Sequence, residues 1–227
     1  MSLAKVQSSR GWQTQRHYCL GVSLGSHNHQ GDALAAIVDW INRQEHFVSG
    51  IIDLSDTLHR FNIMMDAGLS EAAARQEAAR ISSEWCQRHW PILRTLKVPF
   101  EYITWDHWLS DGRFEIYKHA FEESFRSGGP LADAIRGDVN AYFKRRFGHG
   151  IETASAHKTM LCVSYLIEEL SAHSILYQAF PNRVTIYPGR QQRCYALVRE
   201  GGLPDTPRGL CTSLHVRLVI HGRSVTP

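Results

Sequence analysis

The sequence predicts an α/β protein: one Rossmann-like, doubly wound domain on a mostly parallel sheet. Three observations lead there. Short β-branched apolar runs alternate with helix-period segments at the spacing of βαβ units. The 227 residues, 43% hydrophobic and 21% charged, suffice for one large α/β domain of ordinary globular composition. The run Gly21-Val22-Ser23-Leu24-Gly25 follows the first apolar segment, at the carboxyl end of a strand, where open α/β sheets bind ligands.

The elements follow in order. Tyr18-Cys19-Leu20 forms the core of a first strand. A helix begins near Asp32, because Leu34, Ile37, Val38 and Ile41 have i, i+3, i+4, i+7 spacing. Phe47 to Leu54 is short and apolar like a buried parallel strand. Ser70 is an N-cap for a long helix from Glu71 to Trp90, which Pro91 should end or kink. Val98 to Thr104 reads as a third strand. Helical patterning from Phe114 to Phe147 is divided by Gly128-Gly129-Pro130 and stopped by Gly148-His149-Gly150, which implies two helices. A helix from about Ala154 to Tyr177 ends before Pro181, and Arg183 to Tyr187 is a strand closed by Pro188-Gly189. These elements place a catalytic domain in residues 1–200. From 201 to 227 the chain is a Pro, Gly, Arg and Ser-rich extension in which Leu214 to Ile220 forms an added edge strand or stays mobile.

Composition removes several classes. Lys plus Arg number 25 against 22 Asp plus Glu, a net charge of +3, well short of a histone-like nucleic-acid binder. The five cysteines, Cys19, Cys86, Cys162, Cys194 and Cys211, form no C-x-x-C pair, so neither a disulfide framework nor a zinc site is expected. The N-terminus lacks a signal-peptide plan, and the most apolar stretch, Met160 to Leu170, contains Glu168 and Glu169. A cytoplasmic protein without membrane or DNA partners is expected.

Ser23 in a G-x-S-x-G run suggests the nucleophile elbow of a serine hydrolase. That elbow lies deep in hydrolase sequences, whereas Ser23 follows the first strand. Histidines 157, 173, 215 and 221 lie downstream, none in an obvious strand-end loop after an acid. Glycines that merely shape a turn, as in a non-catalytic RNA- or nucleotide-binding domain, are the bland alternative. Near the other end Tyr165 and Glu169 stand four residues apart, one helical turn from each other on one face. A carboxylate buried there wants a cationic or hydrogen-bonding partner. A solvated Glu beside a packed Tyr is the commoner arrangement.

Together these pieces resemble the cyclodipeptide synthases, which make cyclic dipeptides from two aminoacyl-tRNAs. The resemblance rests on His17-Tyr18-Cys19-Leu20-Gly21-Val22-Ser23, then Tyr165 and Glu169, then the strand-end Tyr187, in that order. It spans the chain to roughly residue 195 and implies a fold like the catalytic domain of class I aminoacyl-tRNA synthetases. Ser26 and Pro188 stand where one branch of the family has Asn and His, so the chain looks like the other branch, with Tyr-Pro. The Pro often found two residues after the motif Glu is Ser171 here. The resemblance implies Ser23 as nucleophile, Tyr165 and Glu169 as holders of the first amino group, and Tyr187 as the group that positions intermediates. Gly21 and Ser26 would border the substrate. It implies no cofactor, no metal and a monomer. An aminoacyl ester is already activated, so the lack of a phosphate-binding P-loop fits. Arg75, Arg80, Arg88, Arg94 and Lys97 on the long helix are weak candidates for tRNA contact, as are Lys144, Arg145 and Arg146. Interspersed Glu71, Glu77 and Glu84 make a solvated face equally consistent.

Overall fold

A computed structural model describes residues 2–201, 203 and 207–221. In chain order the strands are β1 (Ser2–Ser8), β2 (His17–Val22), β3 (Ser49–Leu54), β4 (Phe100–Thr104), β5 (Arg183–Tyr187) and β6 (Leu214–His221). The helices are α1 (Gly31–Asn42), α2 (Arg60–Ala67), α3 (Glu71–Leu93), α4 (Trp105–Leu109), α5 (Phe114–Arg126), α6 (Pro130–Phe147), α7 (Ala156–Ala179) and α8 (Arg193–Arg199). The sheet order is β1-β6-β5-β2-β3-β4. Five strands run parallel, and β1 alone is antiparallel, against β6. This is the expected mostly parallel α/β sheet with helices on both faces.

Alternation of side chains sorts the strand residues between two helical layers. Leu20, Val22, Ile52, Leu54, Val184 and Ile186 pack on one face against Leu34, Ile37 and Ile41 of α1 and Trp85 and Leu93 of α3. Cys19, Ile51 and Ile103 point to the other face, against Ala172, Ile175 and Leu176 of α7. Beyond α7 a third cluster joins it to α5, α6 and α8 through Phe121, Ile135, Phe143, Leu170 and Val198. α7 is thus sheathed on nearly all sides, and each of its fully buried residues, such as Leu170 and Ile175, contributes about 1.5–3 kcal/mol. Ser155 caps it by accepting from the Lys158 amide at 3.2 Å.

Four features depart from expectation. Leu214–His221 is a strand, but it lies inside the sheet between β5 and β1 and is not an edge. The edges are β4 and the unanticipated β1. Of the expected C-terminal extension, residues 202, 204–206 and 222–227 lie outside the described residues. Pro91 does not end α3, which runs on two residues to Leu93; a proline in the last turn costs only one hydrogen bond there. Helices α2, α4 and α8 were not expected at all. Among the described residues no helix is long and apolar enough to cross a membrane.

Candidate active site

Ser23 is the first residue after β2. It opens a turn closed by the Ser26 amide on the Ser23 carbonyl at 3.1 Å, and a short 3-10 turn at His27–His29 follows before α1 begins at Gly31. Strand and helix are therefore separated by residues 23–30, which is not the direct strand-to-helix step of a hydrolase elbow. Gly25 lies within that turn, and neither it nor Gly21 has a positive φ, so the turn does not depend on left-handed backbone. A Cβ on Gly25 would crowd His59 Cε1 at 3.0 Å, whereas one on Gly21 would make ordinary contact with the Tyr187 ring at 3.5 Å.

The serine backbone is clamped from below. His29 Nδ1 lies 3.2 Å from the Ser23 amide nitrogen and 3.3 Å from its carbonyl oxygen. Burial lowers the His29 imidazole to about 4, so the ring is neutral at physiological pH. The clamp itself rests on α3, where the Trp85 indole donates to the His29 carbonyl at 3.0 Å and His89 Nε2 accepts from the Gly31 amide at 3.3 Å. Among the described residues no histidine is hydrogen-bonded to the Ser23 hydroxyl, so the Ser-His pair that a hydrolase needs is not made.

What meets the Ser23 side chain is Tyr187. Burial, together with the nearby Glu169 charge, pushes the Tyr187 phenol up to about 12, while the adjacent Ser23 hydroxyl draws it down. Its ring lies over Gly189, where a Cβ would stand 2.2 Å from Cε1, and packs 5.4 Å from the His29 ring. Tyr165 and Glu169 approach from α7. Burial raises the Tyr165 phenol well above its usual range, with the charges of Glu169 and Tyr187 adding to the effect. Burial also raises the Glu169 carboxyl, against the opposing pull of His173 and of Gln192. Gln192 donates to Glu169 Oε2 at 3.1 Å. The site thus gathers Ser23, Tyr187, Tyr165 and Glu169 around the carboxyl ends of β2 and β5.

The other residues singled out from sequence fall elsewhere. Ser26 Oγ accepts from the Asn28 amide at 3.3 Å and so caps the 3-10 turn. His17 begins β2, at the opposite end of the strand from Ser23, and is bonded to Ser49 Oγ at 2.8 Å. Arg80 is held by Glu77 and Glu84, and Arg75 by Glu71 at 3.3 Å. Arg88, Arg94 and Lys97 are exposed and form no ion pair among the described residues. Arg146 pairs with Asp66 at 2.6 Å, leaving Lys144 and Arg145 exposed.

Several site residues escaped the sequence. Glu168, next to Glu169, turns the other way and receives both Arg60 Nη atoms at 2.7 and 2.6 Å, with the Trp105 indole at 2.9 Å. Asp53 is the penultimate residue of β3, beside Gly21, and His173 lies one further turn along the Tyr165–Glu169 face. Both carried a signal: a lone carboxylate in an apolar strand, and i, i+4, i+8 spacing of 165, 169 and 173.

A mostly parallel Rossmann-like sheet, with a serine and a tyrosine at adjacent strand ends under a Tyr-Glu helix face, is the arrangement of an α/β protein whose site lies at the carboxyl ends of its strands. The family model for cyclodipeptide synthase matches residues 4–173, most of the chain, and the protein belongs to that family of tRNA-dependent aminoacyltransferases. A cyclodipeptide synthase from Fluoribacter dumoffii is similar in structure, with a TM-score of 0.77 at 19% identity over 94% of this chain and 97% of the other. One from Candidatus Glomeribacter gigasporarum, bound to Phe-tRNAPhe, gives 0.70 at 18% over 93% and 90%. A Mycobacterium tuberculosis protein described as relating cyclodipeptide synthetases to type I tRNA synthetases gives 0.69 at 12% over 95% and 93%. No curated protein matches the sequence significantly.

Proposed function

We propose that this chain joins two aminoacyl groups through successive esters on Ser23. The Ser23 hydroxyl attacks the ester carbonyl of a first aminoacyl-tRNA; its proton passes to the departing ribose oxygen and the aminoacyl group stays on Ser23. The free amine of that group attacks a second aminoacyl-tRNA, leaving a dipeptidyl ester and a second free tRNA. The new terminal amine then attacks the ester carbonyl on Ser23, closing the six-membered ring and restoring the hydroxyl. No ATP is needed, because each bond formed replaces an activated ester, and catalysis consists of positioning.

The observation that carries this reading is the convergence of Ser23, Tyr187, Tyr165 and Glu169, a partly exposed carboxylate that among the described residues forms no ion pair with a lysine or arginine. An α-ammonium is a partner that suits it. Tyr165 and Glu169 hold the first amine, Tyr187 orients the Ser23 hydroxyl and the ring-closing intermediate, and Gly21 leaves room for the first aminoacyl group. Ser26 and Pro188 assign the chain to the Tyr-Pro branch. α3 supports the Ser23 loop through Trp85 and His89, so Arg88, Arg94 and Lys97 on and just after it are the candidates for phosphate contact. The enzyme acts as a cytoplasmic monomer on charged tRNAs.

Expression in a bacterial host, with mass spectrometry of the medium, tests the scheme. The parent should release a cyclic dipeptide, and Ser23→Ala should release none while still binding aminoacyl-tRNA. Undiminished product from Ser23→Ala would sink the covalent route. Ping-pong kinetics and a labelled aminoacyl-enzyme trapped from the parent complete the test.

A further inference from the structure

His173 has no part in the scheme above, yet it is held at both ring nitrogens. Nε2 lies 3.2 Å from Asp53 Oδ2, and Nδ1 is hydrogen-bonded to the Tyr195 hydroxyl. The remaining Asp53 oxygen accepts from the Trp108 indole at 2.8 Å, and the Trp105 ring stands edge-on to the imidazole at 5.6 Å. Asp53 is 1% exposed. Two carboxylates, Asp53 and Glu169, thus lie at the end of the sheet. Among the described residues neither forms an ion pair with a lysine or arginine, and the nearby buried guanidinium, Arg60, is committed to Glu168 and Glu71. A buried carboxylate requires a charged or hydrogen-bonding partner. His173, 3.2 Å from Asp53 and one helical turn from Glu169, is a side chain in this cluster able to carry positive charge.

We infer that His173, anchored by Asp53 and Tyr195, is the counter-ion of Glu169, a positioning residue whose charge favours the ionised Glu169 ready to receive an ammonium. Asp53 anchors the ring and fixes Nε2 as a donor. Nδ1 then accepts from Tyr195 when the ring is neutral and donates to it when the ring is charged, so Tyr195 follows either state without losing its bond. The groups that face Glu169 from every neighbouring element fit this account. Asp53 on β3 and Asp138 on α6 oppose its ionisation, while His173 and the Gln192 amide favour it. Tyr165 on α7, Tyr187 at the end of β5, and Cys194 and Tyr195 on α8 sense the same carboxylate and have their own ionisation suppressed, chiefly by burial. Burial alone would lower the His173 imidazole, but the hydrogen bond and charge of Asp53, with the charge of Glu169, raise it overall.

The inference rests on Glu169 as the amine-binding group, and the experiment separates the two. Cyclic dipeptide formation is followed from pH 5.5 to 9 in the parent, His173→Gln, His173→Asn and Glu169→Gln, with the Glu169 carboxyl followed by carbon-13 NMR. Loss of the positive charge makes the carboxylate harder to form, so the acid limb and the NMR midpoint of His173→Gln should move to higher pH. A shift of one pH unit means tenfold lower activity on that limb, with recovery toward the parent at pH 9. His173→Asn removes the same charge, should shift in the same direction and provides the test if His173→Gln does not fold. An acid limb and NMR midpoint unchanged in a folded variant, with activity reduced equally at every pH, would overturn the counter-ion role and leave His173 structural. A Glu169→Gln enzyme with parental activity and profile would instead overturn amine binding by Glu169, and the inference with it.

Discussion

Tyr187 rests on Gly189, and that contact fixes the position of the phenol beside Ser23. A methyl group at 189 would enter the ring at Cε1, so Gly189→Ala should push Tyr187 off the serine without touching substrate itself. Misplacement by an ångström costs about a hundredfold in rate. We therefore expect a fall in kcat of about 10–100-fold with little change in thermal stability, read from steady-state kinetics beside a melting curve. A variant with parental kcat would show that Tyr187 has room to relocate. Part of this constellation is legible as sequence. Ser23, Tyr165, Glu169 and Tyr187 appear there as a spaced set, and the helical period shows that 165 and 169 share a face. The same period does not say which of Glu168 and Glu169 finds a cation, because the deciding residue, Arg60, is more than a hundred positions away. Gly189 read as strand punctuation because its partner is the aromatic ring two residues earlier, and no pattern of types reveals that the ring folds back.

Among the elements, α7 does the most: it carries the Tyr165–Glu169 face on one side and the bidentate ion pair to α2 on the other. Arg60 and Glu168 are both almost wholly buried, with side chains 4% and 2% exposed. Removing one partner strands the other charge in the core, which typically costs about 3–5 kcal/mol. Glu168→Gln should therefore lower the melting temperature by about 10 °C, measured by calorimetry. Replacing both residues by apolar ones of similar volume should recover much of the loss. If the single variant melts like the parent, the pair is not what docks α2 on α7. The long elements α1, α3 and α7 and the central strands were readable because their apolar period repeats over several turns or fills a whole strand. By contrast α2 and α8 span eight and seven residues, too few for periodicity to stand out, and α2 buries the charged residue Arg60. Strand β1 has no local mark at all, since it exists only by pairing with β6, at the far end of the chain.

Over the whole molecule, buried histidines tie stability to pH. His29 falls to about 4 from an ordinary 6.5, with burial as the leading cause, and His215 does the same. The unfolded chain therefore binds more protons between those values, and stability is lost as pH falls from 6.5 toward 4. For His29 alone the loss approaches about 3 kcal/mol. His173 runs the other way, because its imidazole is raised: its contribution is complete below 6.5 and lost as pH rises through the folded value. Urea denaturation at pH 7 and pH 4.5 should show the acid loss, and His29→Gln should show less of it. An equal loss in both proteins would assign the acid sensitivity to other groups. The pairing of β1 with β6 has a consequence of another kind, for the time course of synthesis. Ser2–Ser8 leaves the ribosome about two hundred residues ahead of β6, the strand it pairs with. It must therefore wait for that later segment before it can join the sheet, and the sheet cannot be sealed at that edge while the intervening chain is being made.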